Sequence, residues 1–186
     1  MLLIFWHDYD LSKWKGKLCS TCELFTSQDV AFIPIGRLVK TGGIEAVIDY
    51  YKNLGDNYYQ ELIDMLVFDA VILNEDRHFG NFGLLVDSHG NKIIAPAPIF
   101  DNGLSLLCYA MDDDFKDIHT YVSTRRPATY QDFISFVKPL MTNSQKNKLR
   151  KLINFKFDRN TRYKLSNKRL KELEKIIQER IMLLFD

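Results

Sequence analysis

Three cysteines, five prolines and nine glycines among 186 residues are too few for a disulfide scaffold, a proline-rich linker or a collagen-like repeat. Three thiols cannot all pair with one another, and such sparse use suits a reducing cytosol better than a secretory route, so a cytoplasmic location is the expectation. No apolar run approaches the roughly 18 residues of a membrane span. The apolar opening Met1–Trp6 is too short for a signal peptide and has no basic residue before it. A membrane role is therefore not expected. Internal repeats, low-complexity segments and an overall excess of one charge are absent too, with 25 Lys and Arg against 24 Asp and Glu. What is present, 46% hydrophobic and 26% charged residues, is the composition of one folded domain with a core of its own.

The near-neutral total hides an uneven distribution. Residues 1–137 hold 19 acidic against 11 basic side chains, whereas residues 138–180 hold 14 basic against 4 acidic. Such polarity can orient a protein toward an anion or an acidic partner, but these basic residues are spread along amphipathic sequence and read first as solvated helix faces. Tyr9, Tyr50, Tyr51, Tyr58 and Tyr59 have no basic stripe beside them, so direct nucleic-acid binding is not expected. Cys19-x2-Cys22 lacks the second pair that a zinc site needs, and Asp112-Asp113-Asp114 reads as a solvated acidic loop.

Residues 1–58 show scattered aromatic and apolar positions around Gly36, Gly42 and Gly43, with no clear period, and form one N-terminal segment in this reading. From Tyr58 to Leu73 the pattern sharpens. Only Glu61, Asp64 and Asp69 interrupt the apolar side chains of its later part, which predicts a central helix buried on nearly every side. A polar loop, Asn74 to Asn81, follows it. Phe82–Val86 and Lys92–Ala95, joined through Asp87-Ser88-His89-Gly90-Asn91, predict a β-hairpin whose regular pairing ends near Pro96 and Pro98. Asp101-Asn102-Gly103 is a second sharp turn. Residues 104–128 read as a long irregular loop, and the rest as helices starting near Thr129, Ser144 and Ser166. The expected fold is mainly α with some β, one compact body in which residues 59–186 carry the helices around the embedded hairpin.

The hairpin has a chemical consequence. Folding it about His89 and Gly90 puts a residue near Pro98 opposite Asn81, so Asp101 returns to the same end. Asp76, Asn81 and Asp101 can then converge. A carboxylate and an amide oxygen, with positions left for water and phosphate, suit Mg2+, while a second carboxylate stays free to hold an attacking hydroxyl. Asp-x4-Asn is also the spacing of a kinase catalytic loop, and the Asp-x-Gly turn after a hairpin imitates the metal-binding Asp of kinases, with Asn102 where a Phe would stand.

Asn74-Glu75-Asp76-Arg77-His78-Phe79-Gly80-Asn81-Phe82-Gly83, followed by Ala97-Pro98-Ile99-Phe100-Asp101-Asn102-Gly103-Leu104-Ser105, resembles the C-terminal lobe of HipA-like kinases, the bacterial toxin-type serine/threonine kinases. Its Asp-Arg-His-x-x-Asn string is also similar to the catalytic loop of phosphatidylinositol 3- and 4-kinases. The resemblance covers Tyr58 to Ser105 most firmly. It implies ATP and Mg2+ as cofactors, a protein Ser/Thr as acceptor, Asp76 as catalytic base, Asn81 and Asp101 as metal and nucleotide ligands, and His78 as a supporting residue near the transferred phosphate. One departure stands out: there is no Gly-x-Gly-x-x-Gly and no strand lysine after it, and Lys40 precedes Gly42 and Gly43. The nucleotide-binding lobe is thus expected from outside this sequence, from a partner polypeptide or a longer chain, and the sequence by itself is expected to be weakly active. A non-catalytic kinase relic, or an antitoxin-like interaction module, and a lipid kinase are the alternative readings.

Overall fold

The computed structural model describes residues 9–160, 162–163 and 165–186, so the apolar opening Met1–Trp6 lies outside the described residues. At its centre is the helix expected from the apolar run, α3, spanning Asp56–Ile72. Leu62 to Val67 and Asp69 to Ile72 are all buried, which leaves the helix almost no wet face. It ends on Leu73, held in the left-handed region at φ 55°. That cap lets the Asn74 N–H bond the Asp69 carbonyl at 3.0 Å, a Schellman-type ending, and burial of the Leu73 side chain offsets the cost of its backbone.

Helices close around α3. In α2 (Gly43–Leu54), Ile44, Val47, Ile48 and Tyr51 recur at helical spacing and are buried. In α7 (Asn167–Leu183), Leu173, Ile176, Ile177 and Ile181 do the same, and Ser166 caps it by accepting the Arg169 N–H. The short α1 (Ile35–Leu38) follows strand β3, and α4 (Ile118–Ser123), capped by Asp117, gives the expected loop of residues 104–128 an ordered interior. Two starts differ from expectation. Asp132, not Thr129, caps α5 (Phe133–Val137), its carboxylate accepting the Ile134 and Ser135 N–H groups. Thr142, not Ser144, caps α6 (Asn143–Arg150), because Gln145 three residues on closes a reciprocal capping box. Asp64 holds α6 on the core: its carboxylate accepts from Gln145 Nε2 at 2.8 Å and from Lys148 Nζ.

The expected hairpin is present as β4 (Gly83–Asp87) and β5 (Ile93–Pro96), but it belongs to a three-stranded antiparallel sheet in which β3 (Val30–Pro34) pairs with the other edge of β4. Pro96 lies opposite Leu84, and an irregularity at Leu85/Val86 shifts the register near the turn. A separate hairpin, β1 (Asp10–Trp14) and β2 (Lys17–Thr21), turns through Lys15 and Gly16, both at positive φ as a two-residue turn demands. No helix among the described residues is long and apolar enough to cross a membrane.

Gly83 marks the tightest point between sheet and core. A Cβ there would stand 2.1 Å from the Ile33 carbonyl oxygen and 2.9 Å from the Ile35 nitrogen, both backbone atoms of the neighbouring segment. Gly83→Ala is expected to destabilise the fold by about 3 kcal/mol or more, since that backbone must move to admit it. Urea unfolding would measure this, and a loss below about 1 kcal/mol would show the sheet to be looser than described.

Candidate active site

The loop after α3 is built largely by its own hydrogen bonds. The Asp76 N–H bonds Asn74 Oδ1 at 3.1 Å, the His78 N–H bonds the Asp76 carbonyl at 2.8 Å, and the Asn81 N–H bonds the His78 carbonyl at 2.9 Å. Asn81 Nδ2 donates to the Asp76 carbonyl at 2.9 Å. That bond uses the nitrogen end of the amide and leaves Oδ1 as its acceptor end. The Asp76 side chain is half-buried, Asn81 is buried and His78 is exposed. His78 Nδ1 accepts the Gly80 N–H at 3.0 Å, so a neutral ring carries its proton on Nε2, turned away from that bond.

Asp101 lies on the other side of the hairpin base. From Pro96 opposite Leu84, the register extrapolates to Ile99 opposite Asn81, one residue from the expected position, and Asp101 follows two residues later. Backbone bonds stitch this stretch to the end of α3 and the loop after it: the Glu75 N–H reaches the Leu104 carbonyl at 3.0 Å and the Leu106 N–H reaches the Ile72 carbonyl at 2.7 Å. Asp101 is exposed and sits in the left-handed region at φ 53°, a conformation Asp tolerates better than most residues. Tyr9 approaches it from the N-terminal hairpin. Burial and the adjacent Cys22 raise the Tyr9 phenol, while a hydrogen bond with the Asp101 backbone pulls it down.

The residue that joins both sides was not among the sequence candidates. Arg77 is 1% exposed, and all five of its N–H donors are engaged. Nε and Nη2 grip the Asp69 carboxylate at 2.9 and 3.0 Å. Nη1 donates to the Asn81 carbonyl at 2.9 Å and to the Phe100 carbonyl at 2.6 Å, and Nη2 also reaches Asn102 Oδ1 at 2.6 Å. One nitrogen therefore holds the residue at the end of the loop and the residue before Asp101 together. Asp69 is fully buried; burial pushes its carboxyl up, and the Arg77 guanidinium and the Asn74 amide draw it back. Three carboxylates inside an apolar helix were the available signal, because a buried acid requires a partner.

The structure thus joins Asp76 directly to Asn81 and ties Asn81 to both neighbours of Asp101. Asn81 Oδ1 and the Asp101 carboxylate are hard oxygen donors suited to Mg2+, which binds proteins through one or two such groups and takes the rest of its shell from phosphate and water. Among the described residues no group of three His, Cys, Asp or Glu is placed to hold a metal ion, Asp112–Asp114 and the surroundings of Cys19 and Cys22 included. Arg125, on the segment after the turn, bonds Glu75 Oε2 at 3.2 Å, next to Asp76.

A helical body and a small antiparallel sheet, with an Asp-x4-Asn loop and an Asp-x-Gly turn at one end of the hairpin, are consistent with a protein-kinase-like fold. The comparison that bears on it directly is with the crystal structure of a Helicobacter pylori proinflammatory kinase, CtkA, at a TM-score of 0.70, with 18% identity, over 97% of this chain and 79% of that one. At that identity the likeness is one of fold. No protein-family model and no curated protein matches the chain.

Asp69→Ala would strand the Arg77 charge in the core. It is expected to cost about 3–5 kcal/mol in chemical denaturation. A cost under about 1 kcal/mol would mean that water or another group already shares the guanidinium.

Proposed function

We propose that this chain is the catalytic lobe of a HipA-like serine/threonine kinase, which moves the γ-phosphoryl group of ATP to a protein hydroxyl with Mg2+. One observation carries the reading: the Asp76–Asn81 loop and the Asp101 turn hang on the same guanidinium, so the groups the chemistry needs share one end of the hairpin. Residues 59–186 form the lobe, and residues 1–58 pack on or link to a nucleotide-covering half supplied by a longer chain or by a partner polypeptide. An antitoxin-type protein is the other partner this reading includes.

Asp76 has a carboxylate free of protein partners among the described residues. It accepts the hydrogen bond of a serine or threonine hydroxyl, aims the oxygen at phosphorus, and takes the proton as the new P–O bond forms and the bond to ADP breaks. Asn81 Oδ1 and Asp101 would hold the cation, whose positive charge would offset the charge on the phosphoryl oxygens. His78 offers Nε2–H toward the phosphate side, its ring steadied by the Gly80 N–H. Gly80 admits this placement, since a Cβ there would come within 2.8 Å of the His78 ring.

In the protein completed by its nucleotide-covering half, Asp76→Ala is expected to lower phosphoryl transfer roughly 10²–10⁴-fold. Asp101→Asn, which keeps a side chain tolerant of positive φ, should lower it comparably. Radiolabelled phosphate transfer and circular dichroism would check both; full activity in either variant would refute the assignment.

A further inference from the structure

Among the three proposed site residues, Asp101 has the least support of its own. Asp76 and Asn81 belong to a loop that bonds itself, whereas the Asp101 carboxylate has no hydrogen bond to protein among the described residues, and its backbone sits at positive φ. Besides the Tyr9 contact with its backbone, its position depends on its two neighbours, and both lead to Arg77: the Phe100 carbonyl through Nη1 and Asn102 Oδ1 through Nη2, each at 2.6 Å. The Phe100 ring is additionally wedged against Phe25 and Phe32, with centroids 5.3 Å away in each case. Among the described residues, the Asn102 side chain is hydrogen-bonded to Arg77 alone.

We propose that Asn102 is a positioning residue: through Arg77 and Asp69 it fixes the turn so that Asp101 meets the cation beside Asn81. This rests on the reading of Asn81 and Asp101 as cation ligands. The chain of contacts runs from a fully buried carboxylate to a buried guanidinium to a half-buried amide, each step a direct hydrogen bond. Partners that orient a metal ligand from behind typically change metal affinity 10–100-fold when removed. Nothing apolar replaces the tie: position 102 carries an amide, so without its oxygen the turn keeps only the Phe100 carbonyl contact on that guanidinium. Because this bond lies at the edge of the core, water can reach the freed Nη2 donor, and the fold should survive the loss.

The test is Mn2+ titration of the full chain followed by electron paramagnetic resonance of the free ion, with Mn2+ standing for Mg2+. Asn102→Ala is expected to weaken binding roughly 10–100-fold with the thermal midpoint nearly unchanged. Asn102→Asp, which keeps an acceptor oxygen for Arg77, should bind at least as tightly as the wild type. Wild-type affinity in Asn102→Ala, or equal weakening in Asn102→Asp, would overturn the positioning role. If Asp101→Asn abolished binding in the same series, the cation site itself would still stand. A wild-type chain that binds no Mn2+ would instead remove the cation site, and this inference with it.

Discussion

Everything around the candidate site follows from one buried charge. Asp69 sits on a helix that is apolar almost all round, and a carboxylate there is tolerable only if it is paired and fully hydrogen-bonded. Arg77 meets that demand with two donors, and the planar guanidinium has three more to place. Those three fall on Asn81, Phe100 and Asn102. A lysine, with three donors on a point charge, could not grip the carboxylate and span both turns at once. Neutralising the core charge and assembling the site are thus one set of contacts.

The same logic recurs one and a half turns earlier on the helix. Asp64 is nearly as buried, and it is answered by Gln145 and Lys148 of α6, which docks that helix. At the far side, Arg180 of α7 reaches the Ala70 carbonyl through Nε and lies over the Phe133 ring at 5.4 Å, and burial lowers its guanidinium. Polar side chains at chosen points of α3 therefore set which segments pack where, while the apolar contacts supply the bulk of the burial. The site sits at the one end of α3 where such a tie continues into loops rather than into another helix.

What could be read beforehand was what depends on local pattern. The apolar run of α3, the short apolar strands of the hairpin and the turn chemistry at Asp87–Asn91 and Asp101–Gly103 all signal themselves, and the register came within one residue because only the irregularity beside Val86 disturbed it. The N-terminal stretch was opaque for a physical reason: β3 is a uniformly half-buried strand, Val-Ala-Phe-Ile-Pro, whose partner β4 lies some fifty residues away, so nothing nearby announces it. Cap positions slipped because Asp132 and Thr142 act through backbone geometry that neighbouring Thr129 and Ser144 mimic in composition alone. Arg77 was overlooked inside the very string that drew attention, since its partners come from three separate segments. The acid it answers was visible, as a charge in a helix with no wet face.

The central claim is that the Asn81 loop and the Asp101 turn face one cation. Its most direct measurement is the broadening of backbone amide resonances in two-dimensional NMR as substoichiometric Mn2+ is added to the labelled chain. The account predicts that Asn81 and Phe82 broaden together with Asn102 and Gly103, at the same Mn2+ concentration and ahead of Asp112–Asp114. Broadening of one group without the other, or of the acidic loop first, would contradict it.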